Sequence, residues 1–268
     1  MRRVGPDGPH TLDDDLIVEA ENLEVLPRLP DGAFDLVYID PPFNTGRRRA
    51  RGELSYADAH DDYLAFLRPR LEHARRLLAE HGTLYVHLDP RESHYAKVML
   101  DELFGRECFL NEIVWAYDYG GKPRDRWPAK HDTILVYVRA AGRHWFDAGA
   151  VEREPYMAPG LVTAEKAARG KMPTDTWWHT IVHTNGREKT GYPTQKPEGI
   201  LRRMVAASSR PGGWCLDFFA GSGTLGAVCA QLGRRYVLVD RNPEAIAIAA
   251  RRLGDQGERP AGRSMGRC

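Results

Sequence analysis

The sequence has few cysteines, and they are not spaced as metal or disulfide sites require. The four cysteines are far apart, and none belongs to a Cys-x-x-Cys pair: Cys108, Cys215, Cys229 and Cys268. Structural zinc sites and disulfide-rich small domains both need closely spaced cysteines. We therefore expect reduced thiols and assign no metal site.

Long apolar segments are also missing. No apolar run approaches the roughly 18 residues that a helix needs to cross a bilayer, and the first residues lack the apolar core of a signal peptide. These two absences predict a cytoplasmic protein without a membrane partner.

Neither sign of charge dominates the chain. Lysine and arginine together number 38 against 37 acidic residues, which gives a net charge of +1. This balance is not that of a strongly basic nucleic-acid binder, so any contact with nucleic acid must depend on local clusters of cations. With 42% hydrophobic residues in 268 positions, the chain can form one large domain with an added lobe, or two small domains.

Apolar periodicity predicts alternating strands and helices along most of the chain. Branched and aromatic residues mark the strands, and apolar residues at helical spacing mark the helices. We expect strands at 16–18, 35–39, 83–88, 109–117, 133–138, 214–218 and 235–239, and helices at 21–26, 61–80, 92–104, 197–209, 224–232 and 243–253. Such alternation predicts an α/β fold with a mostly parallel sheet and helices on both faces.

A glycine turn follows the strand predicted at 214–218. Gly221 and Gly223 lack a Cβ atom, so the backbone can approach a ligand closely. Asp240 ends the next strand, where a carboxylate can accept hydrogen bonds from two ribose hydroxyls. The turn suits a plain connection, a nicotinamide site or an S-adenosylmethionine site. Residues 221–226 match Gly-x-Gly-x-x-Gly, but too little chain follows for the second half of a nicotinamide domain.

The motif Asp40-Pro41-Pro42-Phe43 follows the strand predicted at 35–39. Two prolines cannot continue the hydrogen bonding of a sheet, and ending the strand can be the whole role of the motif. Its chemistry offers more, because Asp40 and the Pro41 carbonyl are two acceptors on a rigid loop. Two acceptors suit the two hydrogens of an exocyclic base amine. The lone pair of such an amine is delocalised into the ring, so the nitrogen must become tetrahedral before it can attack. Phe43 can stack on an extruded base.

Both motifs resemble those of the beta class of DNA amino-methyltransferases, in which the catalytic loop precedes the cofactor turn. A third similar segment is YPTQKP, from Tyr192 to Pro197. GTLYVHLD at 82–89 and KHDTILVYVR at 130–139 are similar to sheet segments of the same family. The resemblance covers nearly all of the chain from residue 16 to residue 253.

Two positions depart from the family pattern. Ala20-Glu21 stands where many relatives have Gly-Asp, and the ribose-binding acid, often Glu, is here Asp240. The first departure puts a contact between Glu21 and the cofactor adenine in question. The second keeps a carboxylate at the ribose position, on a side chain that is one carbon shorter.

The resemblance implies a Rossmann-like S-adenosylmethionine-dependent methyltransferase fold with circularly permuted motif order. It divides the chain into a catalytic half at 1–141, a target-recognition region at 142–191, a cofactor-binding half at 192–254 and a flexible tail at 255–268. The implied catalytic residues are Asp40, Pro41, Pro42 and Phe43. The implied cofactor-binding residues are Glu21, Thr194, Lys196, Asp217, Phe218, Phe219, Ala220, Gly221, Gly223, Thr224 and Asp240. Within this set, Lys196 is expected to pair with the cofactor carboxylate.

Two basic clusters follow strands at the predicted carboxyl edge of the sheet. They can hold phosphates beside a flipped base, although solvated arginine-rich loops are also common without that role. The first is a polar loop and the second adds an aromatic, Trp127; their cations are Arg47, Arg48, Arg49 and Arg51, and Lys122, Arg124 and Arg126. In region 142–191, further side chains are available for base edges or for packing: Trp177, Trp178, His179 and Arg187.

The function implied by the resemblance is methyl transfer from S-adenosylmethionine to N6 of a flipped adenine in double-stranded DNA. Cytosine N4 is an alternative because both amines present the same two hydrogens, although Ser tends to replace Asp in the cytosine enzymes. Two further alternatives are a non-catalytic DNA-binding or specificity subunit, and a methyltransferase for RNA or a protein amide. Intact motifs argue against the former and motif order against the latter. The family also implies a homodimer and a cognate restriction endonuclease as partners.

Overall fold

A nine-stranded sheet forms the centre of the computed structural model, and a separate two-stranded hairpin accompanies it. The structure describes residues 1–5, 11–44, 47–51, 54–58 and 62–257, with backbone alone for 47–51, 54–58 and 255–257. The strands are β1 Arg2–Val4, β2 Leu16–Glu19, β3 Phe34–Ile39, β4 Arg47–Arg51, β5 Leu54–Asp58, β6 Leu78–Leu88, β7 Phe109–Ala116, β8 His131–Val138, β9 Thr176–Trp178, β10 Trp214–Asp217 and β11 Arg235–Asp240. The helices are α1 Asn22–Val25, α2 Tyr63–Leu77, α3 Pro90–Phe104, α4 Ala164–Arg169, α5 Glu198–Ser208, α6 Thr224–Leu232 and α7 Pro243–Gly257.

The large sheet is mostly parallel, as predicted. Its strand order is β1-β2-β11-β10-β3-β6-β8-β7-β9. Every neighbouring pair from β1 to β6 is parallel, β8 is antiparallel to both β6 and β7, and β9 is parallel to β7. The reversal at β8 has a simple cause, because residues 117–130 join β7 to β8 without the helix that a parallel crossover needs.

Helices cover both faces of the sheet, which confirms the predicted layers. From Leu36 to Ile39 the side chains of β3 alternate between the two faces: Val37 and Ile39 pack with α2 and α3, whereas Leu36 and Tyr38 pack with α5, α6 and α7. Phe34 also faces α2 and α3, because the strand has an irregularity in register between Phe34 and Leu36. All of these β3 side chains are almost completely buried. Strand β3 is therefore a central strand, and Asp40 follows it directly.

One predicted boundary, at the end of α2, and one predicted element, the loop before it, are wrong. The helix expected to reach residue 80 ends at Leu77, because Leu78 adopts an extended backbone and pairs with Phe34 in the sheet. Leu78 continues the helical spacing of apolar residues, so periodicity alone assigns it to the helix. The arginine-rich segment expected as a loop is strand β4, paired antiparallel with β5. A run of arginines has no alternation that would indicate a strand.

The segment 142–191 holds more regular structure than its sequence indicates. Helix α4 has six residues and strand β9 has three, too few to produce a periodic signal. Trp177 is buried at 7% exposure and belongs to the core, whereas Trp178 is 73% exposed. Because β9 joins the main sheet beside β7, the segment packs against the same domain. Its role in target recognition stays a prediction.

The ends of the chain also differ from expectation. Strand β1 was not predicted, and α7 reaches Gly257 instead of residue 253. The rest of the predicted flexible tail, 258–268, lies outside the described residues. Among the described residues, no helix is both long enough and apolar enough to cross a membrane.

Candidate active site

A single edge of the sheet brings the sequence motifs together. Asp40 directly follows β3, Asp217 ends β10 and Asp240 ends β11, and these three strands are neighbours in the sheet. Ligands of open α/β sheets bind at the carboxyl ends of the strands. A cavity of about 400 Å³ opens there. It is lined by all four predicted catalytic residues and by ten of the eleven predicted cofactor residues, all except Gly223.

The predicted catalytic loop is held by a lysine from the last third of the chain. Lys196 Nζ donates a hydrogen bond to Asp40 Oδ1 at 2.7 Å and lies 4.4 Å from the centre of the Phe43 ring. Both side chains of this ion pair are largely buried. The expected pairing of Lys196 with the cofactor carboxylate stays a prediction, whereas its partner in this structure is Asp40.

A buried polar chain behind this pair escaped the sequence analysis. Asp132 lies 3.9 Å from Lys196 Nζ and 3.0 Å from His87 Nε2. The Tyr117 hydroxyl donates to Asp132 Oδ1 at 3.1 Å, and the Tyr38 hydroxyl lies 2.9 Å from His87 Nδ1. The available signal was a polar side chain within an apolar strand, in the two segments 82–89 and 130–139 that resemble the family. Such buried polar groups need partners, and these residues supply them to one another.

The glycine turn combines two separate requirements. Gly221 has φ +47°, lines the cavity, and donates its N–H to Asp240 Oδ2 at 2.8 Å. A Cβ at Gly221 would lie 3.1 Å from the ring of Tyr192, so a side chain here would require the ring to shift by a few tenths of an ångström. Gly223, with φ +71°, faces the helix layer instead, where a Cβ would lie 2.8 Å from the Cβ of Ala249. The predicted contact between Gly223 and the cofactor stays a prediction.

The carboxylates of the cavity lie in an environment that favours a cationic ligand. Burial raises the pKa of Asp217 well above its usual range, and the charges of Asp40 and Asp240 add to that rise. Burial also raises the pKa of Asp240, against the hydrogen bonds from Asn242 and Gly221. A positive charge brought into the cavity would relieve this repulsion. The residues therefore fit S-adenosylmethionine, whose sulfonium and ammonium groups are both cationic.

Asp240 also retains capacity for ribose. Its two oxygens each accept one backbone N–H, from Gly221 at 2.8 Å and from Asn242 at 2.9 Å. A carboxylate offers about four acceptor sites, so two hydroxyls can still bind. This capacity agrees with the role expected from the sequence.

A second group of residues shapes the far side of the cavity. Arg70 is buried and donates to Glu21 at 2.5 Å and to the Asn22 side chain at 2.9 Å. The Asn22 amide donates to the Phe218 carbonyl at 3.0 Å, which ties this corner to the residue that follows β10. Phe66 lies beside Phe219 with ring centres 6.0 Å apart, and both rings line the cavity. Sequence reasoning assigned Glu21 but missed Asn22, Arg70 and Phe66.

Thr224 links the glycine turn to the lysine. Its hydroxyl donates to the Lys196 carbonyl at 3.1 Å, and Arg252 donates to the same hydroxyl oxygen at 3.1 Å. Thr194, which is two residues before Lys196 in the sequence, also lines the cavity. The backbone of the YPTQKP segment is therefore fixed by α6, at whose first residue Thr224 stands.

Comparison with known proteins identifies the family to which this arrangement belongs. The DNA methylase model of the N6/N4 methyltransferase family matches residues 34–251. The chain belongs to this DNA methylase family. The match spans both the predicted catalytic loop and the glycine turn, so the family resemblance seen in the sequence is confirmed.

Individual relatives of the methylase act on different bases according to their names. The type II methyltransferase M.HpaI of Haemophilus parainfluenzae is 32% identical over 249 residues, which are 91% of this chain and 75% of the relative. The DNA adenine methyltransferase YhdJ of Escherichia coli (strain K12) is 30% identical over 245 residues, 88% and 82% of the two chains. The solved PvuII DNA methyltransferase (cytosine-N4-specific) has a TM-score of 0.69 at 17% identity, covering 91% and 87%. This last likeness confirms the methyltransferase fold.

The methylase therefore transfers methyl groups to DNA and uses S-adenosylmethionine as the donor. Chains of the same fold have been solved with S-adenosylmethionine bound. The predicted cofactor is thus confirmed, and the roles of individual site residues are taken up below as proposals.

The predicted phosphate contacts of the methylase are only partly described. Lys122, Arg124 and Arg126 are exposed in the connection between β7 and β8, and Trp127 beside them is 93% exposed. Tyr119 of the same connection lines the cavity. This connection therefore leads from the cavity to a cationic surface. The side chains of Arg47, Arg48, Arg49 and Arg51 lie outside the described part of the chain.

Proposed function

We propose that this methylase transfers a methyl group to N6 of an adenine flipped out of double-stranded DNA. The observation that carries the proposal is the placement of Asp40-Pro41-Pro42-Phe43 directly after β3, facing the cavity that also contains the glycine turn and Asp240. The acceptors for an amine and the binding site for a methyl donor therefore share one enclosure. Asp40 at the first position, and the name of the adenine-specific relative from Escherichia coli, favour adenine.

The chain contributes acceptors that activate the target amine. Asp40 accepts one amine hydrogen and the Pro41 carbonyl accepts the other, which draws the nitrogen lone pair out of conjugation with the ring. Phe43 stacks on the base and holds its plane. S-adenosylmethionine, when bound, supplies an electrophilic methyl group on a positively charged sulfur. After transfer the nitrogen carries an extra proton, and Asp40 is the nearest proposed base to receive it.

Contacts to the DNA backbone are assigned to the exposed connection between β7 and β8. Lys122, Arg124 and Arg126 neutralise phosphates, and the net charge of +1 makes such a local cluster necessary. The similarity to a type II methyltransferase supports a restriction endonuclease as a cellular counterpart. A homodimer is carried over from the family as a further proposal.

Cytosine N4 is the second candidate target. The solved PvuII methyltransferase, whose fold resembles that of this chain, is named as cytosine-N4-specific. Asp40 and the Pro41 carbonyl would serve either amine, because both present two hydrogens on a nitrogen conjugated with the ring.

The test is to incubate the purified protein with radiolabelled S-adenosylmethionine and unmethylated genomic DNA, then digest the DNA to nucleosides. We expect labelled N6-methyladenine from the unaltered chain and none from Asp40→Ala. The matched control is Asp31→Ala, whose side chain is 73% exposed beside Arg76 and does not line the cavity; it should retain labelling. Labelled N4-methylcytosine would overturn the base assignment. Binding of S-adenosylmethionine without any label in the DNA would overturn the assignment of DNA as the substrate.

A further inference from the structure

The ion pair at the catalytic loop conflicts with the chemistry proposed for that loop. Asp40 Oδ1 accepts a hydrogen bond from Lys196 Nζ at 2.7 Å. A bond between two charged groups is stronger than the bond that a neutral amine would make with the same oxygen. An amine bound to Asp40 therefore shares the carboxylate with the ammonium group of Lys196, and its own hydrogen bond becomes stronger when Lys196 gives way.

Asp132 is placed to receive the lysine. Its nearer oxygen lies 3.9 Å from Lys196 Nζ, so a shift of about 1 Å would bring the pair to an ordinary charged hydrogen bond of about 2.9 Å. A lysine side chain has the torsional freedom for such a shift. In the observed position, Nζ also lies 4.4 Å from the centre of the Phe43 ring.

Asp132 itself is fixed in place. Tyr117 and His87 bind its two oxygens at 3.1 Å and 3.0 Å, and its exposure is 7%. His87 is completely buried and is held from its other nitrogen by Tyr38. The lysine is therefore the mobile partner, and the carboxylate is the stationary one.

The charge state of Asp132 suits this role. Burial alone would raise the pKa of Asp132, but the hydrogen bond from His87 and the charge of Lys196 outweigh burial and hold that pKa below its usual value. Asp132 is thus ionised at neutral pH and attracts the ammonium group. The movement of the Lys196 side chain from Asp40 to Asp132 makes and breaks no covalent bond and transfers no proton.

We propose that Asp132 is a positioning residue that draws Lys196 away from Asp40 when the target amine enters. This inference rests on the proposed function, because it assigns Asp40 the task of accepting an amine hydrogen. His87 and Tyr117 serve the same task indirectly by holding Asp132 still.

A structural test is independent of turnover. In a crystal structure of Asp40→Ala, Lys196 Nζ should lie within about 3.2 Å of an Asp132 oxygen, because the competing carboxylate has been removed. A lysine turned towards solvent or towards Asp217 would overturn the proposal. This result can be obtained even if the protein fails to methylate DNA, in which case only the proposed function is lost.

A kinetic test uses a double-mutant cycle between Asp132→Asn and Lys196→Met. Asp132→Asn should lower kcat on unmethylated genomic DNA about 10- to 100-fold, the value of one hydrogen bond to a charged group. The KM for S-adenosylmethionine should change less than about threefold, since the loss is made at the amine and not in cofactor binding. In the Lys196→Met background, Asp132→Asn should cost less than about threefold further, because no lysine remains to be drawn away.

Asp101→Asn is the matched control. Asp101 also accepts from a lysine and a tyrosine hydroxyl, Lys97 at 2.7 Å and Tyr137 at 2.6 Å, but it is outside the cavity lining. It should lower thermal stability and leave kcat within about twofold of the unaltered protein. Equal losses of kcat from Asp132→Asn in both lysine backgrounds, or a comparable loss from Asp101→Asn, would overturn the proposal.

Discussion

Replacing Gly223 with alanine should destabilise the methylase far more than the same change at Gly233. The two glycines flank α6 with almost identical backbone angles, φ +71° and ψ +32° at Gly223 and φ +68° and ψ +38° at Gly233. The left-handed conformation costs a residue with a side chain about 1–2 kcal/mol. Both substitutions carry this cost, so their difference reports the surroundings.

The surroundings of the two positions are opposite. A Cβ at Gly223 would lie 2.8 Å from the Cβ of Ala249 in α7, whereas nothing lies within 4 Å of a Cβ at Gly233. Overpacking of a dense interior costs about 1–3 kcal/mol. We therefore expect losses in the free energy of unfolding of about 2–5 kcal/mol for Gly223→Ala and about 1–2 kcal/mol for Gly233→Ala.

Urea unfolding followed by circular dichroism measures both losses. Adding Ala249→Gly to Gly223→Ala should recover the packing part of the loss, less about 1 kcal/mol for a glycine inside a helix. Equal losses at the two glycines would refute the reasoning. So would a Gly223→Ala protein that Ala249→Gly makes still less stable.

Three further changes probe charge. Burial alone would raise the pKa of Asp35, but the hydrogen bonds from Arg210 and His81 outweigh burial and lower that pKa. The Asp35 carboxylate therefore stabilises the fold above its unfolded pKa of about 4. This stabilisation is lost as the pH falls through the lower pKa of the folded state. The difference in urea midpoint between the unaltered protein and Asp35→Asn should narrow as pH falls from about 6 to 3, and a constant difference would contradict this cause. Asp240→Asn should weaken S-adenosylmethionine binding about tenfold or more in calorimetry, since hydroxyl bonds to a charged oxygen are lost. Arg124→Ala should reduce the slope of log DNA affinity against log salt by about one; an unchanged slope would exclude a phosphate contact.

Local patterns predicted the parts of the site that are continuous in sequence. The apolar strand before Asp40 and the apolar strands on either side of the glycine turn each end where a polar motif begins, so the edge of the sheet could be inferred from order alone. The cavity then followed, because the carboxyl ends of neighbouring parallel strands meet at one edge. Confirmation of the family and the fold shows how far such short motifs can lead.

The polar chain behind Asp40 could not be predicted in this way. His87 and Asp132 are 45 positions apart, and Lys196 contacts Asp40 across 156 positions. Nothing in a local pattern reports which distant polar side chains share a buried space, since that depends on how strands order in the sheet. The same limit explains Gly223, whose local motif suggests a ligand although its tight contact is with Ala249 in another helix.

The pairing of β3 with β10 can form only late in the synthesis of the chain. Leu36 pairs with Cys215 and Val37 with Leu216, so β3 can pair with β10 only after about 180 further residues have been synthesised. At a synthesis rate of about 5–20 residues per second, this edge of β3 stays unpaired for on the order of 10 to 40 s. Pairing between such distant segments is also slow in folding. Asp40 can thus meet the cofactor side of its own cavity only after most of the protein has been made, and until then this edge of β3 is open to pairing with other strands.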